Sequence, residues 1–280
     1  MSAPARETTI RVAVIGVTGR MGCALVRAAA ATDDMRVTSA VASASNAALG
    51  RDAGELAGVG NIGVAVTDDL SSALAQADVV VDFSNSRATA ANLAACRKAR
   101  KPLLIGATGY PAELVREFDS AAREIPLLVA PNTSVAVTLL IELVQKAAQA
   151  LPATFDIEII EAHHRTKLDA PSGTALALGN AAAAGRRGSG QTLARNEVES
   201  SRMGVCEPRR AGEIGFAVVR GGDIVGEHTV LFAGDGERLT LSHSATDRAI
   251  FARGALQGAR WLHGQRPGRY SMRDILSYKS

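Results

Sequence analysis

Two adjacent histidines and a lysine lie within five positions, in the segment EAHHRTKLDAPSGTA that covers residues 161–175. His163 and His164 can donate or accept a proton near neutral pH, and Lys167 can donate a proton or stabilise developing negative charge. Pro171 prevents a helix from running back through the segment. The residue types and their spacing therefore predict a site for proton transfer.

The residues that follow the proline are suited to binding an anion. Ser172 is a favourable N-cap, and Gly173 and Thr174 open the small first turn of a predicted helix. The N–H groups of such a turn are free to contact a carboxylate, aided by the helix dipole. Together with Lys167, the turn predicts an anion site beside the two imidazoles.

Each of these residues also has a simpler interpretation. Neighbouring residues in an extended segment point to opposite faces, so either His163 or His164 could serve only as a hydrogen-bonded core residue. Lys167, taken alone, is compatible with a solvated side chain. A zinc site lacks a nearby cysteine or a third spaced ligand, and a serine hydrolase centred on Ser172 lacks the GxSxG turn. We expect no metal.

A glycine-rich turn near the start of the chain has the context of a nucleotide site. TTIRVAVIG predicts a β-strand, and GVTGRMG, with Gly16, Gly19 and Gly22, leads from it into the helical segment CALVRAAAA. Without Cβ atoms these positions allow a tight turn, and the N–H groups at the helix start can point at a pyrophosphate. We expect a dinucleotide there; an ordinary strand-to-helix turn is the alternative.

The end of the second predicted strand bears on the choice of nucleotide. A carboxylate that binds the ribose is expected there, but the sequence has Ala-Ser-Ala-Ser at 42–45, and Arg20 can pair with a 2′-phosphate. NADPH is therefore favoured, while NADH stays open. The residues expected to contact the cofactor are Gly16, Val17, Thr18, Gly19, Arg20, Met21 and Ser43, with Gly106, Ala107, Thr108, Ala130, Pro131, Asn132 and Thr133 on the nicotinamide side.

Strands alternate with helices in the first half of the chain. MRVTSAVA, ADVVVDFS, KPLLIGATG and IPLLVAPN are apolar strand-like runs, separated by helical segments such as RATAANLAACRKAR and PAELVREFDSAAR. This pattern is typical of a parallel sheet that is covered on both faces. We predict an α/β fold whose N-terminal Rossmann domain, with a doubly wound parallel sheet, comprises residues 1–131 and 244–280.

The pattern changes after the helix SVAVTLLIELVQKAAQALP. TFDIEIIEAHH predicts a strand, and EIGFAVVRGGDIVGEHTVLFAGDGERLTLSHSA predicts two more, joined to their neighbours by Gly-Gly-Asp and Gly-Asp-Gly turns that indicate hairpins. We predict a second, α+β domain with an open mixed sheet over residues 132–243. The polar segment 185–213 is too long for an ordinary connection and is expected to be functional or mobile.

Composition limits the class of protein. The 280 residues are 47% hydrophobic and can bury a large core, and the net charge of +3 is spread along the chain without the basic run of a nucleic-acid groove. Three widely separated cysteines indicate neither a disulfide framework nor a zinc knuckle, and favour a reducing cytoplasm. The apolar runs predict neither an export signal nor a membrane span.

Several of these segments together resemble one family. GVTGRMG, DFS, GATG, APNTSV, EIIEAHHRTKLDAPSGTA, IGFAVVRGGDIVGEHTV and MRDIL are similar to motifs of the 4-hydroxy-tetrahydrodipicolinate (dihydrodipicolinate) reductase family, and HHRxKxDAPSGT is the most specific of them. The resemblance covers nearly the whole chain. It implies a cytoplasmic homotetrameric oxidoreductase of diaminopimelate and lysine biosynthesis, with hydride transfer from NADPH or NADH to a cyclic dicarboxylate imine. It also implies that the second domain binds substrate and mediates oligomerisation.

The resemblance assigns roles to residues of the histidine segment. His163 corresponds to the family's proton donor or acceptor, and Lys167 corresponds to its second proton donor. His164, Gly173 and Thr174 correspond to substrate contacts. A dicarboxylate substrate would explain why one loop carries cations and free N–H groups, and an acceptor that gains electron density would explain the acid beside them.

Four residues, at three sites in the chain, depart from the family pattern. Ala107 stands where Thr is common, Ala136 where Gly is common, and Ala42-Ser43 where an acidic-basic pair is common. All three sites bear on cofactor contacts and not on proton transfer.

Two other functions stay open. A different two-domain Rossmann reductase, such as an amino-acid or semialdehyde dehydrogenase, would not need the paired HHRxK and PSGT motifs. A non-catalytic NADP(H)-binding protein would not need the histidine and lysine cluster.

Overall fold

The computed structural model of the chain describes residues 9–188 and 207–276. These residues divide into two compact units, of which the first runs to Ser134 and resumes at Ala249, and the second is Val135–Arg248. Most of the segment 185–213 lies outside the described residues, so its expected role stays a prediction.

Strands and helices alternate regularly along the first part of the chain. Its elements are β1 (Ile10–Ile15), α1 (Arg20–Ala30), β2 (Met35–Val41), α2 (Ala53–Ala57), β3 (Val66–Thr67), α3 (Leu70–Ala75), β4 (Val79–Asp82), α4 (Ser86–Ala99), β5 (Leu103–Ile105), α5 (Ala112–Ala121) and β6 (Pro126–Val129). The second unit contains α6 (Val135–Ala150), β7 (Asp156–His163), α7 (Gly173–Gly188), β8 (Ile214–Arg220), β9 (Gly226–Gly234) and β10 (Glu237–Ala245). The chain then returns to the first unit with α8 (Ala249–His263), β11 (Gly268–Tyr270) and α9 (Met272–Ile275).

The first sheet has seven parallel strands in the order β11-β6-β5-β4-β1-β2-β3. Its central strands are apolar and buried because helices cover both faces, which confirms the predicted Rossmann fold. The strand order reverses between β1 and β4. In such a sheet the crevice at the carboxyl ends of the strands that flank this reversal is where a ligand binds.

Helix α8 packs on the loop that follows β6, although the two are far apart in sequence. The Thr133 hydroxyl donates a hydrogen bond of 2.6 Å to the carbonyl oxygen of Phe251. A Cβ at Gly254 would lie 1.8 Å from the carbonyl oxygen of Thr133, so a glycine is required for this close approach. The contact fixes the end of the loop in which cofactor-binding residues are predicted.

The second sheet has four strands in the order β10-β9-β7-β8 and is the predicted open mixed sheet. Strands β7 and β8 are parallel, whereas β7 with β9 and β9 with β10 are antiparallel. One face of the sheet packs against α6 and α7. The core formed there includes Leu140, Val144, Ile157, Ile159, Leu178, Phe216, Val230 and Phe232.

Two details predicted for these strands are wrong. The segment predicted to hold two strands forms three, β8, β9 and β10. Strands β8 and β9 lie on opposite sides of β7, so the Gly-Gly-Asp connection carries the chain past β7 and is not a hairpin turn. Turn composition does not reveal which strands pair. The second turn is a hairpin, as predicted: Gly234 pairs with Glu237, and Gly236 between them has φ +79°.

Candidate active site

Strand β7 places a carboxylate and an imidazole side by side on its buried face. Residues two apart in a strand point to the same side, so Glu161 lies beside His163, and they are exposed by only 1% and 9%. His164 follows the end of the strand, is partly exposed, and has its Nδ1 2.8 Å from Thr166 Oγ1. The two adjacent histidines therefore occupy different environments.

The carboxylate of Glu161 accepts four hydrogen bonds. The Arg220 guanidinium donates two, each of 2.8 Å, and the Ser172 N–H donates one of 3.0 Å. The fourth joins Glu161 Oε2 to His163 Nδ1 at 2.6 Å. Burial raises the pKa of Glu161, but the hydrogen bonds from Arg220, His163 and Ser172 outweigh it, and the net pKa is lowered. Glu161 is therefore ionised at neutral pH.

This contact determines which nitrogen of His163 is left for chemistry. An ionised carboxylate accepts hydrogen bonds and donates none, so Nδ1 of His163 carries a proton where it meets Glu161. Nε2 faces Gly226 of β9, where an added Cβ would lie 3.0 Å from that nitrogen. A glycine at this position therefore leaves space around Nε2, the atom able to exchange a proton with a ligand.

Lys167 makes a separate ion pair on the loop after β7. Its Nζ donates to both carboxylate oxygens of Asp169 at 2.8 Å, and the backbone carbonyl of Asp169 accepts a bond of 2.7 Å from Arg220. The Lys167 side chain is 19% exposed and that of Asp169 is 63% exposed. Arg220 thus links the lysine loop to the buried Glu161.

The start of α7 has the predicted N-cap. The Ser172 hydroxyl accepts a 3.1 Å hydrogen bond from the Ala175 N–H, and its Oγ lies 2.9 Å from Nε2 of His228 on β9. A Cβ at Gly173 would meet no atom within 4 Å, so the space beside the first turn is open. The first N–H groups of the helix, with their partial positive charge, suit a carboxylate.

The glycine turn of the first unit fits a dinucleotide. Gly16 has φ +80°, and a Cβ there would lie 2.8 Å from the backbone of Phe83, while a Cβ at Gly22 would lie 2.3 Å from the Gly16 carbonyl oxygen. Helix α1 begins at Arg20, and Gly19 has no side chain to cap it. The N–H groups of its first turn are thus available to a phosphate.

The loop after β2 lies beside this glycine turn. The Asn46 amide donates a 3.0 Å hydrogen bond to the Thr18 hydroxyl, and Ser43 is exposed. Arg20 is exposed at the start of α1, and residues 42–45 contain no carboxylate. A cation and a hydroxyl are therefore exposed near the glycine turn, at the positions where contacts to a ribose or its 2′-phosphate are predicted.

The other predicted cofactor residues differ in what they can offer. Val17, Ala107 and Ala130 are buried, so a contact from them would come from the backbone, whereas Thr108 and Pro131 are exposed. Gly106 lies on the ring of Phe83, where a Cβ would come within 2.2 Å of a ring carbon. Asn132 Oδ1 accepts the Ser134 N–H at 2.8 Å, and the Thr133 hydroxyl is bonded to α8. Met21 is partly exposed on the first turn of α1.

Sequence reasoning did not identify three residues of the site, Glu161, Arg220 and His228. Glu161 could have been found, because the two-residue period of a strand places it on the face of His163. Arg220 and His228 come from β8 and β9, and their position depends on strand pairing with β7, for which the sequence gives no local signal. The histidine cluster forms in the second unit and the nucleotide turn in the first.

The described residues, 9–188 and 207–276, contain neither a metal-binding cluster nor a membrane-spanning helix. No group of three or more His, Cys, Asp or Glu side chains there is arranged to hold a metal ion. Among the helices of the same residues, none has the length and apolar character needed to cross a membrane.

Two family models match the chain one after the other. Residues 10–133 match dihydrodipicolinate reductase, N-terminus, and residues 136–276 match dihydrodipicolinate reductase, C-terminus. Proteins named 4-hydroxy-tetrahydrodipicolinate reductase from Rhizobium rhizogenes and Alkalilimnicola ehrlichii are 50% and 48% identical to it. Each alignment covers 96% of this chain and, respectively, 97% and 99% of the relative.

Solved structures agree with the sequence matches. A dipicolinate-bound dihydrodipicolinate reductase from Paenisporosarcina sp. TG-14 has a TM-score of 0.76 and 25% identity, covering 96% of this chain and 100% of that one. An amine dehydrogenase from Mycobacterium smegmatis has a TM-score of 0.62 and 16% identity, covering 94% and 95%. At 16% identity, the similarity to the amine dehydrogenase shows a shared fold alone.

Proposed function

Because the chain belongs to the dihydrodipicolinate reductase family, we propose that His163 or Lys167 supplies the proton for the reduction that it catalyses. The enzyme is an oxidoreductase of diaminopimelate and lysine biosynthesis, acting on 4-hydroxy-tetrahydrodipicolinate. Conversion to tetrahydrodipicolinate takes up a hydride and a proton and releases the hydroxyl group as water. The site must therefore hold a dicarboxylate and deliver a proton.

The observation that carries the proposal is the 2.6 Å contact between Glu161 and His163. It fixes the imidazole ring and directs Nε2 toward the space beside Gly226. From there His163 donates the proton that the ring requires when it accepts a hydride. Lys167, on the adjoining loop, neutralises negative charge on the substrate and is the alternative donor of the same proton.

The substrate carboxylates are proposed to bind at His164 and at the first turn of α7. The open space at Gly173 admits an anion, and the N–H groups of Gly173 and Thr174 lie at the positive end of a 16-residue helix. A carboxylate there would lie on the same loop as Lys167. Two anchored carboxylates would hold the ring in one orientation for the transfer.

NADPH is the proposed cofactor, and when bound it supplies the hydride. The predicted contacts, from Gly16 to Met21, at Ser43, and in the loops after β5 and β6, would hold it. The 2′-phosphate would pair with Arg20, and residues 42–45 offer no carboxylate to repel it. NADH binding requires only the shared pyrophosphate and ribose contacts, so we expect it to be used as well, at lower efficiency.

We also propose a cytoplasmic homotetramer. On the face of the second sheet that is turned away from α6 and α7, Ile160 and Val219 are 39% and 49% exposed. Apolar side chains on an open sheet face are suited to burial against another subunit. Sedimentation velocity should give a single species of four chains; a monomer would remove this part of the proposal.

The reaction is tested by cofactor absorbance, with substrate generated in situ from aspartate semialdehyde and pyruvate by the preceding synthase. Oxidation of NADPH that depends on this substrate is the expected result, with NADH giving a lower kcat/KM. A preference for NADH would reject the role given to Arg20. Cofactor binding without oxidation of either nucleotide would reject the proposed reaction.

A further inference from the structure

A buried hydrogen bond ties the start of α7 to strand β9. Ser172 Oγ and His228 Nε2 lie 2.9 Å apart, and the two residues are 56 positions apart in sequence. They are exposed by 2% and 5%. Nδ1 of His228 is buried and has no hydrogen-bond partner among the residues that the structure describes, so Ser172 is the polar contact that orients the ring.

His228 is also an immediate neighbour of the proposed acid. The rings of His163 and His228 meet edge to face, with centroids 5.1 Å apart and planes at 74°. In the pairing of β7 with β9, His228 lies directly opposite Glu161. One side chain therefore contacts both the imidazole that would donate a proton and the residue that caps the substrate-binding helix.

The imidazole of His228 is uncharged at neutral pH. Burial, and after it the charge of His163, lowers the pKa of His228 to about 4. A neutral ring can form the hydrogen bond to Ser172 without placing a second positive charge beside His163. This favours a role in holding the site over a role as a proton donor.

We propose that His228 is a positioning residue of the reductase, which holds Ser172 so that the first turn of α7 stays aligned with the substrate carboxylate. The inference rests on the proposed function, in which Gly173 and Thr174 bind that carboxylate. The backbone N–H of Ser172 is already bonded to Glu161, and its hydroxyl is bonded to the Ala175 N–H. His228 supplies the third contact, from a different strand.

The test uses the full chain and three variants, His228→Leu, His228→Gln and His243→Leu. Glutamine can place its amide near the position of Nε2 and keep a hydrogen bond to Ser172. His243 lies on β10 directly opposite His228, has no part in the proposed machinery, and is the matched control. For each variant the measurements are KM and kcat with the generated substrate, the Kd of dipicolinate by calorimetry, and the unfolding temperature.

His228→Leu should raise KM and the dipicolinate Kd at least about tenfold and change kcat less than about threefold. His228→Gln should recover most of that loss, and His243→Leu should leave KM and Kd unchanged. Ser172→Ala should reproduce the binding loss, and combining it with His228→Leu should add little, because both remove the same contact.

Unchanged KM and Kd in a folded His228→Leu protein would overturn the inference, as would a loss in kcat alone. If His228→Leu does not fold, Ser172→Ala decides: normal dipicolinate binding in that variant has the same meaning. Failure of the proposed function looks different, because wild-type protein would then bind dipicolinate without oxidising cofactor. The dipicolinate series would still test His228 in that case.

Discussion

The Nζ of Lys167 is held 2.8 Å from each carboxylate oxygen of Asp169, two residues further along the same loop. The hydrogen bond from Lys167 lowers the pKa of Asp169, with burial opposing it, so Asp169 is ionised at neutral pH. The cation proposed to meet the substrate thus already has a carboxylate partner. A substrate carboxylate must compete with Asp169 for Lys167.

Asp169→Asn should therefore lower KM for the substrate by about threefold, since exposed ion pairs contribute at most about 1 kcal/mol. Steady-state kinetics measures this, and kcat should change little. Asp119→Asn is the matched control, because Asp119 is equally exposed at 63% and pairs with Arg269 in the first unit. A higher KM in Asp169→Asn would mean instead that Asp169 orients Lys167 for the reaction.

Lys167→Ala should reduce kcat by roughly 10² to 10⁴, the usual contribution of a general acid, while cofactor affinity stays unchanged. Stopped-flow turnover and a fluorescence titration with NADPH measure the two effects. Lys146→Ala, which removes an exposed lysine on α6, is the control for the lost charge. Retained turnover would eliminate Lys167 as a proton donor.

Glu161→Gln should lower kcat about 100-fold, because the neutral amide no longer provides the negatively charged acceptor that holds the Nδ1 proton of His163. It should also reduce the free energy of unfolding by roughly 3 kcal/mol, since Arg220 loses a buried counter-ion. Glu158→Gln is the matched control: it lies on the opposite face of β7 and pairs with Arg209. Normal turnover in a Glu161→Gln protein would mean that His163 needs no carboxylate.

Gly16→Ala should weaken NADPH binding at least about tenfold, because its Cβ would lie 2.8 Å from the Phe83 backbone in the turn that receives the phosphates. Gly50→Ala separates this clash from backbone strain. Gly50 has the same φ, +80°, but nothing lies within 4 Å of an added Cβ. Gly50→Ala should lose about 1 kcal/mol of stability and Gly16→Ala more than that, because only Gly16→Ala adds the clash with the Phe83 backbone. Equal cofactor Kd values in the two variants would contradict the placement of the nucleotide.

The ion pair between Asp78 and Arg11 should make stability depend on pH. The hydrogen bond from Arg11 lowers the pKa of Asp78 to about 2, against the opposing effect of burial. A lowered pKa means that the contribution is complete above the unfolded-state value near 4 and is lost as pH falls toward 2. Asp78→Asn should cost about 1 kcal/mol at pH 7, because Arg11 is 42% exposed, and the difference from wild type should shrink below pH 4. Chemical denaturation of wild type and Asp78→Asn at pH 7 and at a pH below 4 measures this difference in the free energy of unfolding.

Features that depend on a local pattern could be predicted from the sequence. The apolar runs of β1 and β4 and the glycines after β1 follow from strand burial and turn geometry, and the structure has them where they were expected. The N-cap at Ser172 is equally local. In each case the chemistry of fewer than about ten consecutive residues determines the outcome.

Features that depend on which strands pair could not be predicted. Arg220 reaches Glu161 across 59 positions, and it does so because β8 lies parallel to β7 and in register with it. The same uncertainty produced the wrong hairpin at Gly-Gly-Asp. A single residue of slip in either pairing would turn Arg220 or His228 to the other face of the sheet.

Strand β11 completes a sheet whose first strand begins at Ile10. Arg260 of α8 donates a hydrogen bond to Asp34 across 226 positions, so the first unit also needs this late helix. During synthesis on the ribosome, the stretch from Val135 to Arg248 therefore has all its own strands before the first unit has its last ones. We expect the second unit to fold before the first unit, because the first unit lacks α8 and β11 until the end of the chain has been synthesised. Until then the edge of β6 that pairs with β11 is uncovered, which makes this edge the point where the nascent protein is most exposed to mispairing or to a chaperone.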